Sequence, residues 1–344
     1  MSTLCIYGGG MVTALGYNAP ASLAALRAGI SAIRRTVWAD TDSGEPLLGA
    51  KVSLPHWWEG LGKLADLVAP AIQECLAHTD IPATNIPLLL AVPDARRQGR
   101  FARLDEDLLP EIEARLGVPH HGRSRLFAAD QAGAALALAC AMQWIQAGDV
   151  PRVIIAGVDS YLHQPMLDDY IERRRLMTPS NSNGFFPGEA GAAVLVGPEQ
   201  QAPPGALRLL GLGMAEEPAP INSTEPFQAK GLTQAVAAAL NQARCSMADV
   251  GYRLTDLSGE HYKFKEAAFV AGRLDTSART SLMELWHPIE YLGDIGAAIL
   301  PLLLQQHLHA LQEGYAPGRV ALIHVGSDAG LRAACVVAPL EGSA

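Results

Sequence analysis

Charge is scarce in this chain, and lysine is scarcer still. Charged residues make up 18% of the 344, against roughly 25% in an average soluble domain, so much of the chain is expected to be buried. Lysine occurs only at Lys51, Lys63, Lys230, Lys263 and Lys265, and 26 basic against 35 acidic residues give a net charge of −9. Without a broad positive field, a general nucleic-acid binder and an anionic-membrane binder are both excluded. Cysteine forms no framework: Cys5, Cys75, Cys140, Cys245 and Cys335 are odd in number, far apart and free of CxxC or Cys/His spacing. Neither disulfides nor a metal site is indicated, and a reducing cytoplasm is the expected location. The opening MSTLCIYGGG has no positively charged region, so no secretory signal is expected. Uncharged runs at 131–148 and 295–312 approach the length of a membrane span. Both hold Gln, Gly or His among many Ala, and read as buried core helices. Gly8 to Gly10 lack the third spaced glycine and the later acid of a dinucleotide fingerprint, so no cofactor is called for.

Hydrophobic residues, at 49%, are abundant, and the length suits two domains or one large α/β unit in two halves. LCIYGGGMVTALG reads as a buried strand ending in a Gly-rich turn, and ASLAALRAG as a helix stopped by Gly29. IPLLLAVPDA, RLFAAD and PRVIIAGVDS read as further strands, LDEDLLPEIEARLG as a surface helix and GAALALACAMQWIQAG as a buried one. Continuous apolar strands alternating with helices predict a mostly parallel sheet covered on both faces. The chain also repeats itself. From Gly133, GAALALACAMQWIQAGDVPRVIIAGVDS resembles GAAILPLLLQQHLHALQEGYAPGRVALIHVGSD from Gly296, and LCIYGGGMVTALG resembles LRLLGLGMAEEP. Each long copy is a Gly-Ala-Ala helix start, a buried helix, a polar turn and a strand ending at Gly-x-Asp. Two α/β halves are therefore expected, 1–200 and 205–344, joined by the QQAPPG linker at Gln200 to Gly205.

Several segments together resemble the β-ketoacyl synthases, the condensing enzymes of the thiolase superfamily. GFFPGEAGAAVLV (184–196) is similar to the family's GFxxGEGAxxLVL signature, AGDVPRVIIAGVDS to its GDADVxLAGGAE strand and EYLGDIGAA to its HxxGxxGA motif. The resemblance covers most of the chain. It implies an α/β fold of five layers, αβαβα, with two buried helices between two sheets, and a dimer. It also implies a thiolate at the start of a buried helix, two histidines at the thioester and a lysine near the second. At those places the matched segments put Gln131 for the cysteine, Ser258 for the first histidine, Glu290 for the second, Leu285 for the lysine and Ser327 at the aromatic gate. Gln131 cannot carry a thioester, and Cys140, nine residues on, reads as a small core residue. Losing one member of a cooperating set already removes most catalysis, so ordinary condensing activity is not expected.

Two readings are open. In the first, the chain is a catalytically inactive thiolase-fold protein working through its surfaces. It is then either like the chain-length factors, which carry Gln for Cys and pair with an active ketosynthase, or an adaptor such as those found with secretion effectors. In the second, an enzyme of changed chemistry or a residual acyltransferase uses Asp256, Glu260, His261, Asp294 and neighbouring acids. Against that, Asp130 and Asp294 stand where helix caps are needed. Arg96, Arg97, Arg100 and Arg103, and Arg173, Arg174 and Arg175, form two basic clusters able to dock an acidic acyl carrier protein or simply to face solvent. HWWEG at His56 to Gly60 is a candidate partner contact or loop packing. A homodimer or a heterodimer is expected, with neither nucleic acid nor membrane as partner.

Overall fold

The computed structural model describes residues 3–55, 60–276 and 282–340; the HWWEG segment therefore lies outside the described residues up to Gly60. The first half runs β1 (Leu4–Thr13), α1 (Ala19–Arg27), β2 (Arg34–Ala39), β3 (Pro46–Gly49), α2 (Leu61–Leu76), β4 (Leu88–Val92), α3 (Leu104–Leu116), β5 (Arg125–Ala128), α4 (Gly133–Ala147), β6 (Val153–Ser160), α5 (Gln164–Glu172) and β7 (Glu189–Pro198). The second runs β8 (Leu207–Glu216), α6 (Lys230–Ala243), β9 (Tyr252–Thr255), α7 (His261–Leu274), β10 (Glu284–Trp286), α8 (Ile289–Leu292), α9 (Ile299–Gln312), β11 (Ala321–Gly326) and β12 (Leu331–Pro339).

The sheet order is β10-β9-β11-β12-β8-β1-β7-β6-β4-β5, with β2 and β3 apart as a hairpin. Setting that hairpin aside, each half places its third strand at the edge, then its second, fourth, fifth and first. The repeat in sequence is thus a repeat in topology. The strands of the two halves join through β1 and β8, where Cys5 pairs with Arg208 and Ile6 with Leu207. Helix α2 covers the outer face of β1, β6 and β7, α6 covers β8 and β12, and α4 and α9 lie between the two halves. One apolar cluster joins both central helices to both sheets, and separate clusters lie under α2 and under α6. These are the five layers expected.

Two expectations need correction. The sheet is not mostly parallel: β4–β5, β4–β6, β9–β10 and β9–β11 are parallel, whereas β6–β7, β7–β1, β1–β8, β8–β12 and β12–β11 are antiparallel. A strand buried on both faces is continuously apolar whichever way its neighbour runs, so the pattern carries no direction. Nor is the Gly8 to Gly10 run a turn; it lies inside β1. A Cβ at Gly9 would sit 2.5 Å from the Ala193 carbonyl and the Gln305 side chain, and one at Gly10 2.3 Å from the Ala71 carbonyl. Missing side chains let α2 and α9 press onto the strand. Gly157 of β6 does the same at the centre, where a Cβ would lie 2.1 Å from the Ala297 carbonyl. Gly157→Ala is therefore expected to lower stability by about 1–3 kcal/mol, read from the urea midpoint.

Candidate functional site

The repeat brings four chain ends to one place. Asp159 is the penultimate residue of β6 and Asp328 lies two residues past β11, and helices α4 and α9 are each entered through a 3₁₀ turn, Asp130–Ala132 and Gly296–Ala298. The turn before α9 packs on β6, the turn before α4 packs on β11, and the two turns touch. The loop following β9 closes the assembly.

Gln131 is buried there. Its Nε2 lies 3.4 Å from both carboxylate oxygens of Asp294 and 3.3 Å from the Tyr161 hydroxyl, while its buried Oε1 has no partner. Three cations surround this pair. Arg97 donates to Asp130 (2.5 Å) and Asp159 (2.8 Å) and lies over the Tyr161 ring. Arg175 makes a two-pronged contact with Glu260 (2.5 and 2.9 Å) and a third bond to Asp328 (2.7 Å). Lys263 pairs with Asp256 at 2.9 Å, and Asp256 also accepts from the Gly326 amide at 3.1 Å. Ser327 donates to Asp130 and Ser258 to Glu260.

Three cations thus face six carboxylates, and burial decides which of the acids keep a proton. Desolvation lifts Asp294 to about 6, against the pull of Lys263 and the Gly296 amide, and Asp256 and Asp328 add to the rise. Asp159 is also raised, chiefly by burial. Burial would raise Asp328 as well, but the charge and hydrogen bonds of Arg175, with Lys263 and Arg97, hold it well below the usual range. Lys263 stays charged because Asp256 and the other carboxylates outweigh its desolvation.

The sign for Asp294 follows from a folded-state pKa above the unfolded 3.8. Its protonated form favours folding below about pH 4, and that contribution is lost as pH rises through about 6, where ionisation costs about 3 kcal/mol. Asp294→Asn keeps the acceptor and removes the charge. The variant is expected to match the native protein near pH 4 and to exceed it by about 3 kcal/mol at pH 8, measured by chemical denaturation.

Of the positions anticipated from sequence, Gln131, Asp256, Ser258, Glu260, Asp294 and Ser327 converge. Others do not. Leu285 on β10 and Glu290 on α8 line a separate cavity, and the residue turned toward Gln131 is Asp294, four positions after Glu290. His261 is exposed at the start of α7, away from the cluster. Asp130 is not a cap: its backbone is left-handed (φ 48°), and its carboxylate serves Arg97, Ser327 and the Asp94 amide. Asp294 accepts the Gly296 amide at 2.9 Å, but the N-cap positions of the 3₁₀ turn and of α9 are Ile295 and Ala298.

The basic clusters divide between the site and the surface. Arg97 and Arg175 are inside the site, with side chains 6% and 7% exposed. Arg100 pairs with Asp105, Arg96 with Asp94, Arg103 with Glu106 and Asp107, and Arg173 with Asp169, while Arg174 is exposed. Cys140 takes a hydrogen bond from Arg125. Sequence reasoning missed Asp159, Tyr161, Lys263 and Asp328. The signal for the two aspartates was the Gly-x-Asp ending shared by both copies of the repeat.

Little space is left. The cavity beside Asp256, Lys263 and Ser327 leaves about 10 Å³, at the limit for admitting one water. A cleft of about 230 Å³ reaches the cluster from outside, lined by Asp94, Arg97, Asp130, Asp169, Tyr170 and Asp328. Among the described residues no three His, Cys, Asp or Glu side chains converge as metal ligands. Among them, too, no helix is long and apolar enough to cross a membrane.

The sequence matches no protein-family model, and no curated protein is significantly similar to it. Solved structures do match. A ketosynthase in complex with its chain length factor from Xenorhabdus doucetiae aligns over 98% of each chain at 15% identity with a TM-score of 0.76. A β-ketoacyl synthase from Burkholderia phymatum STM815 aligns over 99% of this chain and 100% of its own (15%, 0.74). The oxazolomycin ketosynthase domain of Streptomyces albus JA3453 aligns over 100% of this chain and 76% of its own (12%, 0.78). The chain has the thiolase-like fold that these ketosynthases share.

Proposed function

We propose that this chain is a non-condensing thiolase-fold protein that acts by pairing with another protein, as a chain length factor pairs with its ketosynthase, with residues 1–200 and 205–344 as its two halves. One observation carries the reading. Where a condensing reaction needs a thiolate, two histidines and open space, Gln131 is sealed under the ion pairs of Arg97, Arg175 and Lys263. A carboxamide forms no thioester, and carboxylates around it oppose a malonyl group and its enolate. Similarity to a ketosynthase–chain length factor complex supports the choice of partner. The paired arginines weaken the idea of carrier-protein docking on the two basic clusters.

A second reading, acid–base chemistry at Asp294, is favoured by a pKa of about 6, near the optimum for proton transfer. It is disfavoured by access, since Asp294 is 2% exposed. Mild affinity purification from native cells, with stoichiometry by mass spectrometry, tests the proposal. One equivalent of a thiolase-fold protein with an intact Cys-His-His set is expected. A secretion effector in that place would favour the adaptor reading, and a chain recovered alone or as a homodimer would contradict the pairing.

A further inference from the structure

Asparagine precedes glycine at one place in the chain, Asn183–Gly184, in the bend that leads toward β7. Packing demands the glycine. A Cβ on residue 184 would stand 2.4 Å from the Leu176 carbonyl carbon, and one on the facing Gly259 would stand 2.2 Å from the Gly184 oxygen. Hydrogen bonding demands an acceptor just before it. Asn183 Oδ1 takes the backbone N–H of His261, the first residue of α7, at 2.8 Å. Glu260, the N-cap residue of α7, makes no side-chain cap bond, because its carboxylate is taken by Arg175 and Ser258. Asn183 thus caps the helix from a distant segment. It is itself exposed, and among the described residues the Gly184 amide donates to no acceptor.

We infer that Asn183 is a site of spontaneous deamidation promoted by the start of α7. The Gly184 nitrogen gives its proton to water and bonds to Asn183 Cγ; the Cγ–Nδ2 bond breaks, ammonia leaves, and water opens the cyclic imide to aspartate or isoaspartate. Water is the only co-reactant. Glycine leaves the attacking nitrogen unshielded by a side chain, while the negative charge that develops on Oδ1 meets the His261 N–H and the positive end of a 14-residue helix. The aspartyl product keeps the cap, now as a carboxylate, which suits a helix start. The isoaspartyl product lengthens the backbone where Gly184 has no room, and so strains its contact with Gly259, between Ser258 and Glu260. With time the chain divides into a form with a charged cap and a form loosened at the loop that closes the buried cluster. Nothing in this inference depends on the proposed pairing.

Peptide mapping by mass spectrometry of the full chain, kept folded at pH 8 and sampled over days, is the test. A gain of about 1 Da confined to the peptide holding Asn183 is expected, with the asparagines that do not precede glycine unchanged. His261→Pro removes the donor alone. Proline is tolerated at the first position of a helix, and Glu260 before it is already extended (ψ 126°). Deamidation in that variant is expected to be about two- to fivefold slower, with a cooperative urea transition confirming its fold. A peptide that stays unmodified in the folded chain yet reacts in urea, or a reaction in His261→Pro as fast as in the native chain or faster, would overturn the assignment, because the helix contact would then protect the amide.

Discussion

Replacing Arg97 by methionine is expected to lower the stability of the fold by about 3–5 kcal/mol, measured by chemical denaturation at pH 7. The guanidinium bridges Asp130 and Asp159, both buried, and its loss leaves two buried carboxylates without a cation. The cost is one of abandonment and not of the pair's intrinsic worth. Adding Asp130→Asn and Asp159→Asn to the methionine variant is therefore expected to restore most of the loss, because the amides still accept from the Asp94 and Ala297 backbone. Arg97→Lys is expected to fall between, since an ammonium cannot span both partners with a fixed fork. Arg175 likewise bridges two carboxylates, Glu260 and Asp328, and Arg175→Met is expected to behave alike. A cost below about 1 kcal/mol, the range of an exposed pair, would show that the cluster is solvated and open.

Acid sensitivity is the second large effect. His307 on α9 shares a 2.6 Å hydrogen bond with the Tyr252 hydroxyl, and burial lowers its pKa to about 3. His324 on β11 lies 3.3 Å from Thr255 Oγ1, and burial, reinforced by Arg253, lowers it to about 4. Both are neutral in the folded chain, whereas in the unfolded chain they protonate below 6.5. Their stabilising contribution is thus complete above about pH 6.5 and is lost as pH falls toward 4. Each proton is worth about 1.4 kcal/mol per pH unit, so the pair contributes a slope of about 2.7. Asp294 opposes this between about pH 6 and 4 with the slope of a single proton, so it offsets only half. In a His307→Gln, His324→Asn variant, the fall of stability between pH 6 and 4.5 is expected to be shallower by about 2.7 kcal/mol per unit. Equal slopes in the two proteins would mean that neither ring is held neutral.

The sequence reported topology better than side-chain partners. The duplication was legible because α4 and α9, and the strands after them, occupy equivalent central layers and are therefore apolar at the same spacing. Gln131 drew attention because it lies two residues before the Gly133 helix. The loop before α9 was misread because Glu290 and Asp294 flank Gly293, and only the backbone of that turn (Gly293 φ 67°, Gly296 φ 51°) decides which acid faces inward. Arg97 and Arg175 were taken with their neighbours as surface clusters, since adjacent arginines look alike until the fold buries one and leaves the next outside. Asp328 and Lys263 escaped notice for a related reason. Arg175 is 153 residues from Asp328 and Asp256 lies on the loop before Lys263's helix, so no local period links these ion-paired residues.

On the proposed reading, the centre around Gln131 forms no acyl-enzyme. The most direct measurement is the intact mass of the purified chain after incubation with acetyl and malonyl thioesters of an acyl carrier protein, with released carbon dioxide followed in parallel. An unchanged mass and no decarboxylation are predicted, for the native chain and for Gln131→Ala alike. An acyl adduct, or carbon dioxide release that Gln131→Ala or Asp294→Asn abolishes, would contradict it.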